Sequence, residues 1–202
     1  MRPLILVTAL LAAGPLPAQT AAPPVATPTS APAAAPNPNL EQARALTKEF
    51  ADTLKGELEA AMKSGGPITA ISVCKERAPA IAAAISGRSG WTLGRVSLKP
   101  RNAKSGQPDA WERQVLTRFD ERKAAGEPVE TMAFAAVVEG DGAKQFRFMK
   151  AIPTGEVCLT CHGGNIAPAV AATLDQAYPE DHARGYAVGD IRGAFSLTKP
   201  ID

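Results

Sequence analysis

The chain has 202 residues, with 22 Lys and Arg against 20 Asp and Glu, and its formal net charge is +2. This near balance, without a run of like charge, gives no indication of a surface for nucleic acid or for an anionic membrane. The chain contains 3 cysteines, and an odd number leaves one thiol without an obvious partner. The length suits one folded domain behind an N-terminal segment.

The first 18 residues have the pattern of a secretory signal peptide. Arg2 provides a positive start, an apolar run extends from Leu4 to Ala13, and "LPA" before Gln19 offers a small residue at a cleavage point. The apolar run is too short to span a bilayer comfortably. We therefore expect residues 1–18 to direct export, to the periplasm or elsewhere outside the cytoplasm. The mature protein is expected to be soluble, without a transmembrane helix.

Residues 19–39 are nearly all Ala, Pro, Thr and Ser, and none of them is charged. Such a segment cannot bury an apolar core, and its prolines favour an extended tether. We predict a disordered linker at 19–39, followed by one folded domain at 40–202.

The folded part begins with two helical patterns. The first predicts a long amphipathic helix that ends at Gly65 and Gly66, because an apolar residue recurs at every fourth position: Leu46, Phe50, Leu54, Leu58 and Met62. The second starts at Pro67 and has Cys74 on its apolar face. Pro79 lacks a backbone N–H, so we expect it to break or kink the second helix.

Strands follow the helices along the chain. "WTLGRVSLK" is a candidate strand, and Asp109 begins a helix that ends at Gly126. "VETMAFAAVVEG" and "KQFRFMKAIP" predict two strands joined by the turn "GDGA". "PAVAATLDQAY" predicts a short helix, and "YAVGDIRGAFSLTKP" a final strand or hairpin. Helices first and strands later indicate an α+β fold with an antiparallel sheet.

The sequence "CLTCH" at 158–162 is the attachment signature of a c-type haem. Cys158 and Cys161 are spaced so that each thiol can add to a vinyl group at one edge of the same haem, and His162 can then coordinate the iron. One motif predicts one covalently attached haem c. A zinc site, a thioredoxin-like active site and a structural Cys158–Cys161 disulfide are weaker alternatives, because the motif lies late in the chain and only Cys74 and His182 remain as further zinc ligands.

The residues by themselves leave the second axial position of the iron undecided. Cys74, a methionine or an open site are the alternatives. Cys74 lies on an apolar helix face, where its ordinary role is that of a small buried hydrophobic residue. Of the methionines, Met132 and Met149 lie in strand patterns typical of core residues, and Met62 is the third candidate. His182 lies in a charged turn, which favours a surface position.

Further contacts to a haem are suggested by arginine and tryptophan residues. Arg95, Arg101 and Arg192 are candidates to meet the two haem propionates, although each is more often a surface residue. Trp91 and Trp111 are candidates for a wall of the site, and core packing is the ordinary alternative.

From about Leu40 onward the chain resembles a family of bacterial c-type haem domains, formerly a domain of unknown function and known from a cyanobacterial haem protein. The resemblance lies in ordered pieces: "VCKERAP", "VSLKPRN", "PDAWE", "CLTCHGG" and "YPEDHARGYAVGDIRGAFS". It implies a PAS-like antiparallel sheet with N-terminal helices packed around it and one covalently bound haem. It also implies that His162 and Cys74 are the two metal ligands.

These features predict an exported mono-haem protein of low reduction potential, because a thiolate ligand favours oxidised iron. We expect a redox-responsive or gas-responsive role, since reduction removes the positive charge that the Cys74 thiolate neutralises and thereby weakens its bond to iron. A periplasmic electron carrier is the alternative. A haem enzyme such as a peroxidase is disfavoured because both axial positions are expected to be filled. The expected partners are the haem and a redox or signalling protein, and no nucleic acid.

Overall fold

The structure is a computed structural model, and it describes residues 37–140 and 143–202. The signal peptide predicted at 1–18 and nearly all of the linker predicted at 19–39 lie outside the described residues. The first helix begins slightly before the predicted domain start. The Asn37 side chain accepts hydrogen bonds from the N–H groups of Asn39 (3.0 Å) and Leu40 (3.2 Å), and Pro38 opens the helix where no N–H is needed.

The N-terminal helical layer consists of three consecutive segments. They are α1 (Pro38–Ser72), a π-helical turn (Val73–Arg77) and α2 (Ala78–Ser89). Gly66 has φ 70° and ψ −166°, so α1 is kinked there, and Pro67 follows directly. The helix end predicted at the two glycines is therefore confirmed as a kink between two helical arms.

The break predicted near Pro79 takes the form of the π-helical turn. The N–H of Ala78 donates to the carbonyl of Val73, five residues earlier, and Pro79, which has no N–H to donate, is the next residue. This turn contains Cys74. Single π-helical turns inside α-helices are frequent at functional sites.

Four strands form one antiparallel sheet in the order β1-β4-β3-β2. They are β1 (Thr92–Val96), β2 (Ala133–Gly140), β3 (Ala143–Pro153) and β4 (Ile191–Ile201), and a short 3₁₀ turn, Val129–Thr131, precedes β2. All four were expected from the sequence. The last segment is one strand rather than a hairpin, because its second half pairs with β1 and β3 instead of folding back on itself.

Helices cover both faces of the sheet. The helical layer packs on one face through a cluster that includes Phe50, Ile85, Trp91, Phe148 and Leu197. The helix α3 (Ala110–Ala124) packs on the other face through a cluster that includes Val115, Leu116, Phe119, Met132 and Met149. The predicted fold class, α+β with an antiparallel sheet and N-terminal helices packed around it, is confirmed.

Two short helices connect β3 to β4. They are α4 (Glu156–His162), which contains the Cys-x-x-Cys-His motif, and α5 (Pro168–Ala177). The motif therefore lies near the helical layer, because α4 contacts α5 and α5 contacts α1. Across 37–140 and 143–202, no helix combines the length and the apolar character that crossing a membrane requires.

Candidate functional site

A cavity of about 510 Å³ lies between the helical layer, the edge of the sheet and α4. Its lining contains all four residues predicted to bind the cofactor: Cys74, Cys158, Cys161 and His162. Cavities that take small ligands and cofactors are about 300–1,000 Å³. The fold therefore brings Cys74 from the π-helical turn to the same space as the motif on α4.

The two motif cysteines lie on one side of α4. Residues three apart are neighbours on a helix surface, so Cys158 and Cys161 both face the cavity. Cys161 also packs against the apolar cluster of Ile71 and Tyr178, and burial raises the pKa of its thiol. All three cysteines of the chain are free thiols in this structure.

The imidazole of His162 has a fixed tautomer. Its Nδ1–H donates to the carbonyl of Ala183 at 2.8 Å, which leaves Nε2 as the nitrogen with a free lone pair. Burial, together with the charges of Arg192 and Arg101, lowers the pKa of His162 to about 2. The ring is therefore neutral at physiological pH, which is the form that a metal ion requires.

The side chains of Arg192 and Tyr186 pack against the ring of His162. Arg192 Nε lies 3.1 Å from Nδ1 of His162 and 3.4 Å from Nε2. An atom nearly equidistant from both nitrogens cannot lie in the ring plane, because the carbon between them blocks that approach. Arg192 Nε therefore lies over the face of the ring. Tyr186 meets the ring edge-on, with centroids 6.2 Å apart. The guanidinium of Arg192 also lies over Tyr186, at 5.4 Å from its centroid.

The backbone next to the motif is tied to the segment before β4. The N–H of Tyr186 donates to the His162 carbonyl at 3.0 Å, and the N–H of Gly185 donates to the Gly163 carbonyl at 3.1 Å. A Cβ at Gly163 would lie 2.7 Å from the carbonyl oxygen of Leu159, so this close path requires glycine. "CLTCHGG" and "GYAVGDIRGAFS" are therefore direct neighbours in the fold.

The structure separates the other residues that the sequence offered as iron ligands. Met62 lines the cavity together with Cys74. Met132 and Met149 are fully buried in the cluster under α3, on the opposite face of the sheet. His182 is exposed, as its charged surroundings predicted. Of the three methionines in the described part of the chain, only Met62 remains a competitor of Cys74.

The three candidate arginines all line the cavity, but they differ in their partners. Arg101 pairs with Asp181 at 3.1 Å. Neither Arg95 nor Arg192 has a carboxylate within 4 Å among the described residues, and burial lowers the pKa of both guanidinium groups. Two half-buried cations without a carboxylate partner indicate that this cavity receives a ligand with negative groups.

The tryptophans belong to the core and not to the cavity wall. Trp91 is buried against Phe146 in the cluster under the helical layer. Trp111 packs on Phe134 at the other face of the sheet, where the guanidinium of Arg147 lies 4.4 Å from its ring centroid. Neither tryptophan lines the cavity.

Comparison with known proteins identifies the family of this chain. The profile of the Tll0287-like family (Tll0287) matches residues 33–200. The chain belongs to the Tll0287-like family. The crystal structure of the cyanobacterial haem protein Tll0287 is similar, with a TM-score of 0.64 and 26% sequence identity over 83% of this chain and 98% of that chain. No curated protein matches.

The family resemblance inferred from the sequence is therefore confirmed, and with it the haem-protein family. The donor set also fits a haem: two thiols and a neutral imidazole on one short helix, a third thiol across the same cavity, and two unpaired arginines for two carboxylates. Within the described residues, no three side chains of His, Cys, Asp and Glu converge as a metal ion would require.

Sequence reasoning missed several residues around the cavity. Tyr178 lines it, and burial raises the pKa of its phenol to about 12. Tyr186 and Asp181 contact His162 and Arg101, respectively. All three lie in "YPEDHARGY", which the resemblance had already marked, but its polar composition indicated only a surface turn.

Proposed function

We propose that this chain is an exported c-type haem protein in which Cys158 and Cys161 carry one haem and His162 and Cys74 are its axial ligands. The observation that supports this most strongly is the shared cavity: residues from two distant parts of the chain supply a thiol pair, an imidazole and an opposing thiol to one space of about 510 Å³. The solved relative is a haem protein.

A bound haem supplies one-electron redox chemistry and affinity for diatomic gases. The chain's own residues determine how that chemistry is used. His162 presents a neutral Nε2 whose direction is fixed by the Nδ1–H bond to Ala183. Cys74, as a thiolate, donates charge and favours the oxidised state, so the reduction potential is low.

The role that fits this ligand pair is a redox-responsive or gas-responsive one. If His162 and Cys74 both hold the iron, no position would remain open for a substrate, so we propose that the protein is not an enzyme. Reduction lowers the positive charge that the Cys74 thiolate balances within an apolar wall that includes Ile71 and Ala78. On reduction Cys74 would take up a proton from solvent and would be released as a neutral thiol, which would open a position for CO or NO.

A periplasmic electron carrier is the second candidate, and the exposure of α4 favours it. No residue of α4 is fully buried, and Val157, which directly precedes the motif and lines the cavity, is 50% exposed. An exposed attachment helix places one edge of the cofactor site near the surface, where a redox partner protein could dock. In this role Cys74 stays bound in both oxidation states.

Export is part of the proposal and rests on the first 18 residues, which have the pattern of a signal peptide. It agrees with the predicted chemistry, since covalent haem attachment is made outside the cytoplasm. No anchor after the signal peptide is needed for this role.

The proposal predicts that colour stays on the polypeptide after denaturation and acid extraction, when the protein is produced with haem-maturation machinery. Thioether bonds to Cys158 and Cys161 survive this treatment, whereas a haem held only by its axial ligands is extracted. Replacing both cysteines by Ala is expected to abolish retention. Colour released from the wild type would overturn covalent attachment.

The same preparations decide the second axial ligand. Cys74→Ala is expected to lose the low-spin, thiolate-type spectrum of the oxidised protein, whereas Met62→Leu is expected to keep it. Met62 is the matched control because it lines the same cavity and also carries sulfur. If Met62→Leu changes the spectrum and Cys74→Ala does not, the thioether and not the thiolate is the ligand.

A further inference from the structure

Arg101 is a buried arginine that ties together three segments of the site. Its side chain is only 8% exposed, and that of Asp181, its ion-pair partner, only 3%. Nε of Arg101 donates to Asp181 Oδ1 at 3.1 Å, and Nη2 donates to the carbonyls of Ala183 (3.0 Å) and Cys161. Arg101 therefore links its own loop to α4 and to the segment that precedes β4.

The carbonyl of Ala183 is shared by Arg101 and His162. It accepts from Arg101 Nη2 at 3.0 Å and from His162 Nδ1 at 2.8 Å, so both of its lone pairs are used. The N–H of Ala183 donates to Asp181 Oδ1 at 2.8 Å. Ala183 is 0% exposed, and its two backbone groups are thus fixed by the ion pair on one side and by the imidazole on the other.

We propose that Arg101 and Asp181 form a positioning pair that sets the orientation and the electron donation of His162 through the Ala183 carbonyl. The proposal rests on the proposed function, since it concerns His162 as an iron ligand. A histidine ligand donates more strongly when its Nδ1–H makes a stronger hydrogen bond. Arg101 draws on the same acceptor and weakens that bond, while Asp181 balances the charge of Arg101.

This role separates Arg101 from the other two arginines of the cavity. The Nε and Nη2 donors of Arg101 are used by Asp181 and by two backbone carbonyls. Arg95 and Arg192 have no carboxylate partner within the described residues, so they remain free for the anionic groups of a ligand. Arg101 therefore acts on His162 through the Ala183 carbonyl, whereas the charges of Arg95 and of Arg192, which also packs against the His162 ring, remain available to a ligand.

The two members of the pair have opposite effects on the oxidation state. Removing the charge of Arg101 strengthens the Nδ1–H bond and removes a nearby cation, and both changes favour oxidised iron. Asp181 also pairs with Arg184 at 2.9 Å, so removing its charge leaves the cations of both Arg101 and Arg184 without this carboxylate, which favours reduced iron. We expect a shift of about tenfold in the oxidised-to-reduced ratio at fixed ambient potential, or about 59 mV for one electron, in opposite directions for the two variants.

The experiment is a redox titration of the haem-loaded protein as wild type, Arg101→Gln and Asp181→Asn. Opposite shifts for the two single variants, and a smaller net shift for the double variant, support the pair. Shifts in the same direction, or none, overturn it, because a merely structural loss would loosen the site in the same way from either side. If Arg101→Gln does not fold, Arg101→Lys takes its place. This variant keeps the charge, and its reduction potential is expected to stay closer to that of the wild type than the potential of Asp181→Asn does.

Two controls complete the test. Arg122→Gln and Glu127→Gln remove an arginine–carboxylate pair (2.7 Å) at the C-terminal end of α3, outside the cavity lining, and are expected to leave the potential unchanged. His162→Ala is expected to change the spectrum of the wild type. If it does not, His162 is not the ligand, and the proposed function fails together with the pair. If it does and the potentials of Arg101→Gln and Asp181→Asn stay fixed, only the positioning pair is wrong.

Discussion

At the scale of single residues, His162 is a histidine that the fold keeps neutral. Its pKa is lowered from 6.5 to about 2, mainly by burial and then by the neighbouring arginines. Between pH 7 and pH 5 the unfolded chain takes up a proton at this position and the folded protein does not. The free energy of unfolding therefore falls with decreasing pH, by about 2 kcal/mol from this group over that interval.

This pH dependence is predicted to disappear in His162→Gln. The measurement is the urea midpoint at pH 7 and pH 5, on a background in which Cys158 and Cys161 are Ala, so that no haem ligand titrates. Carboxyl groups such as Asp181, whose pKa lies below 3.8, lose their contribution only at lower pH. On this background, an equal fall of the urea midpoint with His162 and with His162→Gln would show that His162 is not the group responsible.

The sequence is informative about the site where residues are close together along the chain. The spacing of Cys158, Cys161 and His162 predicts one haem-attachment site, because all three residues act on one ligand. Cys74 could be assigned only through the family resemblance, because an apolar helix face does not reveal what it packs against. Likewise, the partners of Arg101 and Arg95 differ although both precede the same helix, since pairing depends on tertiary contacts.

At the scale of secondary structure, the kink at Gly66 fixes the direction of the second arm of α1, which leads to Cys74. Gly66 has φ 70° and ψ −166°, a backbone conformation essentially restricted to glycine that costs an ordinary residue about 1–3 kcal/mol. Gly66→Ala is therefore expected to lower the free energy of unfolding by about that amount. Gly87, on the exposed side of α2, has helical geometry and no atom within 4 Å of a built Cβ.

Gly87→Ala is the matched control for Gly66→Ala, because it makes the same chemical change in the same helical layer. It is expected to raise the free energy of unfolding by up to about 1 kcal/mol, since Ala restricts the unfolded chain and favours the helix. Chemical denaturation of the two variants measures both effects. Equal effects of the two substitutions would show that the kink at Gly66 carries no backbone strain for alanine.

Elements were predicted well where one periodicity persists, and poorly where the backbone departs from a regular period. The long apolar repeat of α1 and the alternation in β2 and β3 gave elements at the expected places. The π-helical turn at Val73–Arg77 was not predictable, because Pro79 indicates a break but not how the helix absorbs it. Short α4 has no buried residue and therefore no apolar pattern to detect.

At the scale of the whole molecule, the order of elements predicts the fold class but not the layers. Helices before strands indicate an α+β fold, and the antiparallel sheet follows from strands joined by short turns. The helix α3 packs on the face of the sheet opposite to α1 and α2. The sequence does not predict this, because β3 has buried residues on both of its faces and so does not show which face each helix covers. The cavity then forms at the end of the sheet where the helical layer faces α4.

This arrangement makes the two proposed roles distinguishable in the intact protein. The π-helical turn joins the kinked arm of α1 to α2, and Cys74 is the residue by which that turn would bind the iron across the cavity. If Cys74 leaves on reduction, residues 67–82 lose a tether and their amides exchange faster; if the protein is an electron carrier, the tether persists in both states.

Hydrogen exchange of residues 67–82 is therefore predicted to be faster in the reduced than in the oxidised haem-loaded protein, by about tenfold or more. Loss of a ligand bond worth about 1.4 kcal/mol changes the equilibrium for local opening by about that factor. The segment 110–124, on the far face of the sheet, serves as an internal reference, because α3 does not line the cavity. Cys74→Ala is expected to exchange rapidly at 67–82 in both oxidation states, which ties the difference to the thiol. Equal, slow exchange of the wild type in the two states would favour the carrier, because a carrier transfers electrons best when its ligands and its surrounding helices stay in place.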